Sequence, residues 1–293
     1  MDTRSYSESE LPLTGEYILP GLVPPRLYQE HIHRYELAGK LSVGKDVVDV
    51  ACGTGYGSAY LADIGARRVF AGDISQAALE SAKRRYWRAE LKYFQLDGMR
   101  LPLADSCIDL ACSFETLEHV DRPKDLVLEC WRILKPGGMF LCSTPNRALT
   151  SPVPLRPVNP YHRHELSLEE FTQMLSEYFT EVKLLGQDFY ETERALLLRL
   201  RSMFLQILGL HAIGRMAITK AIQRRMNPGL SASMSQGIPP SDGRPTAGER
   251  WELRRLNPNS NCGIPRYLVG IATKGEVTRR ESTILSSVGI SDG

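Results

Sequence analysis

Residues 47–58, VVDVACGTGYGS, set the strongest constraint on how this chain folds. A run of β-branched apolar residues enters a cluster of glycines, and helix-forming residues follow. That order describes a buried strand, a tight turn, and a helix whose first free N–H groups face whatever the turn holds. Many nucleotide-binding folds carry one such glycine motif, so its meaning depends on the segments that follow it.

Those segments alternate. RLYQEHIHRYELAGKL (26–41) reads as an amphipathic helix, and DVVDVAC (46–52) is the first strand. RVFAGDI (68–74), LKYFQLD (91–97), CIDLACSF (107–114), MFLCSTPN (139–146) and TEVKLLGQDF (180–189) are read as further strands. Helical patterns lie between them: GSAYLADIGA; SQAALESAKRRYW, with Ser75 at its N-cap; DLVLECWRIL, stopped by KPGG; and SLEEFTQMLSEYF (167–179). In the last of these, Ser167 and Glu170 have the spacing of a capping box. RYLVGIATKG (266–275) returns as a seventh strand. Strands and helices alternating at this spacing predict a parallel sheet covered on both faces.

The domain boundaries follow from where that rhythm stops. Residues 1–25 read as a flexible leading segment, 26–189 with 266–275 as the α/β domain, 190–265 as a helical and loop insertion, and 276–293 as a disordered tail. Within the insertion, 191–226 is a basic, apolar helical pattern suited to a lid, a dimer surface or a peripheral membrane contact. Residues 227–248 are rich in Ser, Gly and Pro and read as a mobile loop. Across 293 residues the formal net charge is only +2, which demands no nucleic-acid partner, and none is expected. The six cysteines show no metal-ligand spacing and several fall inside strands, which points to a reducing, cytoplasmic setting. The start of the chain has no apolar core of the signal-peptide kind, and no apolar stretch approaches membrane-spanning length.

Acidic residues close successive strands. Asp73 ends VFAGD, where a carboxylate can accept both hydroxyls of a ribose; Asp97 ends FQLD and can accept an exocyclic amine. Either acid alone reads equally well as a turn or cap residue. Together with the glycine turn, in register on neighbouring strands, they describe a nucleoside site.

At this point the chain resembles the class I S-adenosylmethionine-dependent methyltransferases. The resemblance rests on VVDVACGTG, GDIS, FQLDGMRLPLADSCIDL, LEHV and LKPGGMFLCSTPN, and spans roughly residues 10–190 and 266–275. It implies a Rossmann-like doubly wound sheet of seven strands, six parallel and the last antiparallel, with S-adenosyl-L-methionine as cofactor. It also implies that Asp49, Ala51, Gly53 and Gly55 hold the methionine end, Asp73 and Ile74 the ribose, and Asp97, Gly98 and Met99 the adenine. Phe114 and Arg34 belong to the same implied set, with Arg34 meeting the methionine carboxylate and Tyr17 or Tyr28 lining the pocket. Ala51 departs from the family pattern, which usually has glycine there.

SFETLEHV (113–120) follows the fourth strand and brings Glu115, Glu118 and His119 together. On a helix these would share a face. With His162, from NPYHRHELS (159–167), they form a candidate Mg²⁺ or Mn²⁺ site that would lower the pKa of an acceptor hydroxyl. The competing reading makes the two glutamates helix-dipole partners and His119 a packed side chain. Glu115, His119, His162 and His164 are the candidate catalytic residues, a histidine serving as general base. The E-x-x-E-H spacing resembles small-RNA 2′-O-methyltransferases and ubiquinone-pathway O-methyltransferases. The arrangement STPN…NPYHRHELSLEEF is closer to bacterial methyltransferases of sugar and polysaccharide biosynthesis. The resemblance therefore implies a small-molecule or carrier-linked sugar acceptor, with a quinone-type phenol, an amine, or a non-catalytic cofactor-binding role as alternatives.

Overall fold

The computed structural model describes residues 17–150, 157, 159–191, 249–256 and 264–275. The chain divides into two compact units, 1–188 with 252–293, and 189–251. Helix α1 (Pro25–Ser42) opens with a proline in its first turn, where the missing N–H costs nothing. Then β1 (Asp46–Val50), α2 (Tyr56–Asp63), β2 (Arg68–Asp73), α3 (Gln76–Arg85) and β3 (Leu91–Gln95) follow in strict alternation. Next come β4 (Ile108–Phe114), α4 (Pro123–Ile133), β5 (Leu134–Pro145), the single turn α5 (Arg147–Thr150) and α6 (Leu168–Ser176). The last elements are β6 (Glu181–Glu191), β7 (Glu249–Arg255) and β8 (Tyr267–Thr273).

Two helix starts follow the side-chain chemistry of the sequence. The Ser75 hydroxyl accepts from Ala78 N–H at the head of α3. At α6 the Ser167 hydroxyl accepts from Glu170 N–H, and the Glu170 carboxylate accepts from Ser167 N–H, completing the capping box.

The sheet order is β3-β2-β1-β4-β5-β8-β6-β7. Strands β1 to β5 pair in parallel, whereas β8 runs antiparallel between β5 and β6. Alternate residues of β1 feed the two faces: Val48 and Val50 join the core under α4 and α6, and Val47 joins the core under α1, α2 and α3. Asp49 points to the Val47 face, a polar group beside a mostly apolar core.

The expected seven strands are corrected to eight. The added strand, β7, lies within the span read as helix and loop. Its sequence, ERWELRR, has no continuous apolar run, and a terminal strand can pair through its backbone without one. The KPGG segment also differs: α4 stops before it as expected, but its residues continue as the start of β5. Gly137 N–H donates to Lys274 O, and Lys274 N–H donates to Gly138 O, so backbone pairing with the end of β8 holds the turn residues in the ladder. The helical reading of 192–226, the loop reading of 227–248 and the tail 276–293 lie outside the described residues. Among the described residues no helix is long and apolar enough to cross a membrane.

Candidate cofactor and acceptor site

The carboxyl ends of β1 to β4 open into a cavity of about 530 Å³, within the ordinary range for small-molecule sites. Sheet order arranges its wall: Asp97 beyond β3, Asp73 ending β2, the glycine turn after β1, and Glu115 after β4. This is where ligands of doubly wound folds bind.

The turn Ala51–Gly55 brings backbone close to the cavity through left-handed residues, with φ of 61° at Ala51, 54° at Gly53 and 82° at Gly55. Alanine there carries a strain of about 1 kcal/mol that glycine would avoid. The turn is held from both sides. The Asp73 carboxylate accepts from Gly53 N–H (2.8 Å) and Ser75 N–H (2.8 Å), and the Thr54 hydroxyl donates to Ile18 O (2.5 Å). The Thr54–Ile18 bond draws Tyr17 and Ile18 over the loop as part of the wall. Burial raises the Asp73 pKa, against the lowering effect of the N–H groups of Ser75, Gly53 and Ile74. Asp97 accepts from Met99 N–H (2.9 Å), which sets Gly98 and Met99 along the wall.

Asp49 sits beneath the turn rather than on the wall. It accepts from the Ser58 hydroxyl (2.5 Å) and from the Tyr35 hydroxyl (3.2 Å to each oxygen). Complete burial raises its pKa to about 7, despite the opposing effect of those hydrogen bonds.

The other end of the cavity is formed by SFETLEHV together with the segment 159–165. Glu115 lines the cavity in a left-handed conformation, φ 52°, a strained state that persists where its surroundings hold it. Its carboxylate accepts from the Ser143 hydroxyl at 2.6 Å, and Arg34 Nη1 lies 3.7 Å away. Glu118 is buried: its Oε2 accepts from the Thr144 hydroxyl at 3.0 Å, and its Oε1 lies 3.8 Å from His119 Nε2. Burial, with the Glu115 charge adding, holds its pKa well above the usual carboxylate range.

His119 lines the cavity, and its Nδ1 faces Tyr161 O at 3.2 Å. A carbonyl only accepts, so Nδ1 carries the proton and Nε2 the lone pair. His162 meets His119 edge to face at 4.9 Å between ring centroids. Its Nδ1 lies 2.6 Å from Glu165 and its Nε2 2.9 Å from Asn159 Nδ2. The Asn159 carbonyl oxygen already accepts from Tyr161 N–H, which fixes the amide with its NH₂ toward His162. His162 Nε2 thus accepts from Asn159, and its Nδ1 donates to Glu165.

The expected site residues therefore separate into groups. Ala51, Gly53, Asp73, Ile74, Asp97, Gly98, Met99, Phe114, Glu115 and His119 line one cavity. Asp49 and Gly55 lie directly behind it. Arg34 does not line it: its guanidinium is fully buried between Glu115, Glu30 and Gln187. Tyr28 packs edge-on against Tyr56 instead of lining the wall. The expected four metal ligands do not converge, since only Glu118, His119 and His162 approach one another, within 4.8 Å. Glu115 is turned away to Ser143 and Arg34. His164 is held through its backbone N–H, 3.4 Å from Glu118 O, and is not on the wall.

Sequence reasoning missed His31, Tyr56, Tyr161 and Arg163, all on the wall. Burial and then Arg34 push the His31 pKa well below its usual value, so its ring is neutral. Arg163 N–H donates to Glu118 O at 2.7 Å, so a loop distant in sequence is pinned to SFETLEHV. Only the histidines of NPYHRHELS signalled this segment in advance.

A glycine turn held by an acidic strand end, with a second acid one strand further on, lines this cavity of a doubly wound fold. A family model described as a methyltransferase domain matches residues 48–142. A probable S-adenosylmethionine-dependent methyltransferase from Mycolicibacterium smegmatis is 39% identical over 176 residues, covering 60% of this chain and 67% of that one. A protein from Mycobacterium tuberculosis with the same description is 34% identical over 182 residues, covering 61% of this chain and 65% of its own length. The chain belongs to the class I S-adenosylmethionine-dependent methyltransferases. It spans about two thirds of the length of the curated relatives it matches. A Thermotoga maritima methyltransferase structure, described as a possible histamine N-methyltransferase, superposes with a TM-score of 0.51 at 17% identity. That match covers 85% of this chain and 93% of the other, and it shows the fold alone.

Proposed function

We propose that this chain transfers a methyl group from S-adenosylmethionine to a hydroxyl oxygen of a small-molecule or glycan-type acceptor, with His119 as general base. The supporting observation is the His119 ring on the cavity wall, its tautomer set by Tyr161 O so that Nε2 carries the lone pair. When bound, the cofactor supplies an electrophilic methyl on a sulfonium and departs as a neutral thioether. Asp73 would hold the ribose, Asp97 and Met99 the adenine, and the Ala51–Gly55 turn the methionine end. His119 Nε2 would take the acceptor proton as the oxygen accepts the methyl. The Tyr161 ring, 48% exposed at the mouth, offers an apolar face to the acceptor.

A divalent ion fits this site poorly. His162 has both ring nitrogens engaged, by Glu165 and Asn159, and burial raises the Glu118 pKa well above the usual carboxylate range, which works against the lone pairs and charge an ion needs. No step is assigned to a metal.

The test is transfer of radiolabelled methyl from the cofactor to a panel of sugar, phenol and amine acceptors. Removal of the base in His119→Ala lowers kcat by about 10²–10⁴-fold while cofactor affinity holds. Methylation of amines alone, or an unchanged kcat in the variant, would overturn the reading. Cofactor binding without turnover on any acceptor would favour a non-catalytic partner protein.

A further inference from the structure

Behind the acceptor end lies a buried cation that no cofactor contact explains. Arg34 is completely enclosed. Its Nε donates to Gln187 Oε1 at 2.7 Å, and its guanidinium lies 4.5 Å from the centre of the Tyr267 ring. Gln187 is in turn anchored by donating to Glu30 O at 2.9 Å. The outer nitrogens face carboxylates at 3.7 Å (Glu115) and 3.5 Å (Glu30), with no hydrogen-bond partner for either nitrogen. They therefore act on those carboxylates through charge rather than through hydrogen bonds.

An enclosed, unpaired charge is strongly unfavourable, so a guanidinium held this way by α1, β6 and β8 needs a compensating charge nearby. The ionisable groups around it are Glu30, His31, His33, Tyr56, Glu115, Glu118, Arg266 and Tyr267. Burial raises the pKa of Glu30 and Glu118, with Arg34 opposing the shift at both, and lowers that of His31. Burial also opposes the charge of Arg34 itself, and Glu115 and Glu30 outweigh it. Of these carboxylates, Glu115 lies on the cavity wall, next to the glycine turn along the sheet edge, where the sulfonium methyl would face the acceptor.

We propose that Arg34 is a positioning residue acting through Glu115: it holds the Glu115 side chain at the transfer end of the cavity and cancels its charge. That end then takes an uncharged hydroxyl acceptor in preference to an ammonium group. The choice of acceptor rests on the hydroxyl-transfer reading above; the charge compensation does not. Without Arg34, the carboxylate left on the wall favours cations there. Without the Glu115 carboxylate, the enclosed guanidinium disfavours them.

Isothermal titration of the full chain with two cofactor analogues reads this directly. S-adenosylhomocysteine is neutral where the methyl sits, and sinefungin carries an ammonium there, standing in for a cationic acceptor. In Arg34→Met the affinity ratio of sinefungin to S-adenosylhomocysteine rises by about tenfold or more, as expected for uncovering one charge several ångströms away in a half-buried site. Arg34→Lys restores most of the wild-type ratio, and Glu115→Gln moves it the other way. A purely structural strut would weaken both ligands by the same factor and leave the ratio unchanged, which overturns the proposal. If Arg34→Met does not fold, Glu115→Gln decides alone: a ratio that fails to fall overturns it equally. No acceptor enters this experiment, so its failure is separate from a failure to methylate hydroxyls.

Discussion

Asp49 should make the stability of the unliganded chain depend on pH in the direction opposite to most aspartates. Its pKa rises from 3.8 in the open chain to about 7 in the folded one, because burial outweighs the bonds from Ser58 and Tyr35. Between these values the folded chain holds a proton that the unfolded chain has released. Stability is therefore fullest below about pH 4, falls as pH rises, and levels off above pH 7. A shift of about three units corresponds to about 4 kcal/mol in all, of which about 2.5 kcal/mol is lost between pH 5 and pH 8. Asp49→Asn keeps the shape and cannot ionise, so the variant loses that slope. Urea unfolding of both unliganded proteins at pH 5, 6.5 and 8, at one ionic strength, measures the difference. The variant gains about 2.5 kcal/mol on the wild type across this range. Stability curves that stay parallel within about 0.5 kcal/mol would refute the buried-acid reasoning. The same linkage predicts that binding a cofactor with an ammonium at its methionine end releases a proton near neutral pH. Calorimetry in buffers of different ionisation enthalpy detects it.

Two further expectations concern packing and metal. A Cβ added at Gly57 would lie 2.0 Å from the Tyr35 ring, whose hydroxyl bonds Asp49, so Gly57→Ala costs about 3 kcal/mol in urea unfolding and weakens cofactor binding. Titration of the chain with Mn²⁺ at pH 7 shows no saturable binding at micromolar metal, since His162 presents no free lone pair. A micromolar site lost in Glu118→Gln would reverse that view.

The α/β alternation was legible because its signals are local. A β-branched run entering glycines, Ser75 and Ser167 at helix starts, and acids at strand ends each carry their meaning within a few residues. Strand β7 was hidden because a terminal strand needs few buried side chains, and ERWELRR has the look of a charged surface. The strand-end wall of the cavity was legible for a related reason: in a parallel sheet, strand ends lie side by side, so Asp73, Asp97 and the Ala51–Gly55 turn come together once the strands are found.

The acceptor end could not be read this way. From spacing alone Glu115, Glu118 and His119 belonged on one helix face. The backbone instead turns left-handed at Glu115, sending it to Ser143 and Arg34 while Glu118 goes inward. What pulls them apart comes from elsewhere in the chain: Arg34 from α1, Gln187 from β6, Tyr267 from β8, and the segment around Tyr161 and Arg163 pinned to Glu118 O. The sequence by itself determined the fold and this strand-end wall of the cavity, since both follow from local patterns repeated along neighbouring strands. Which side chains face the cavity, which charges cancel, and which histidine holds a lone pair depend on contacts between distant segments, so only the tertiary structure decided them.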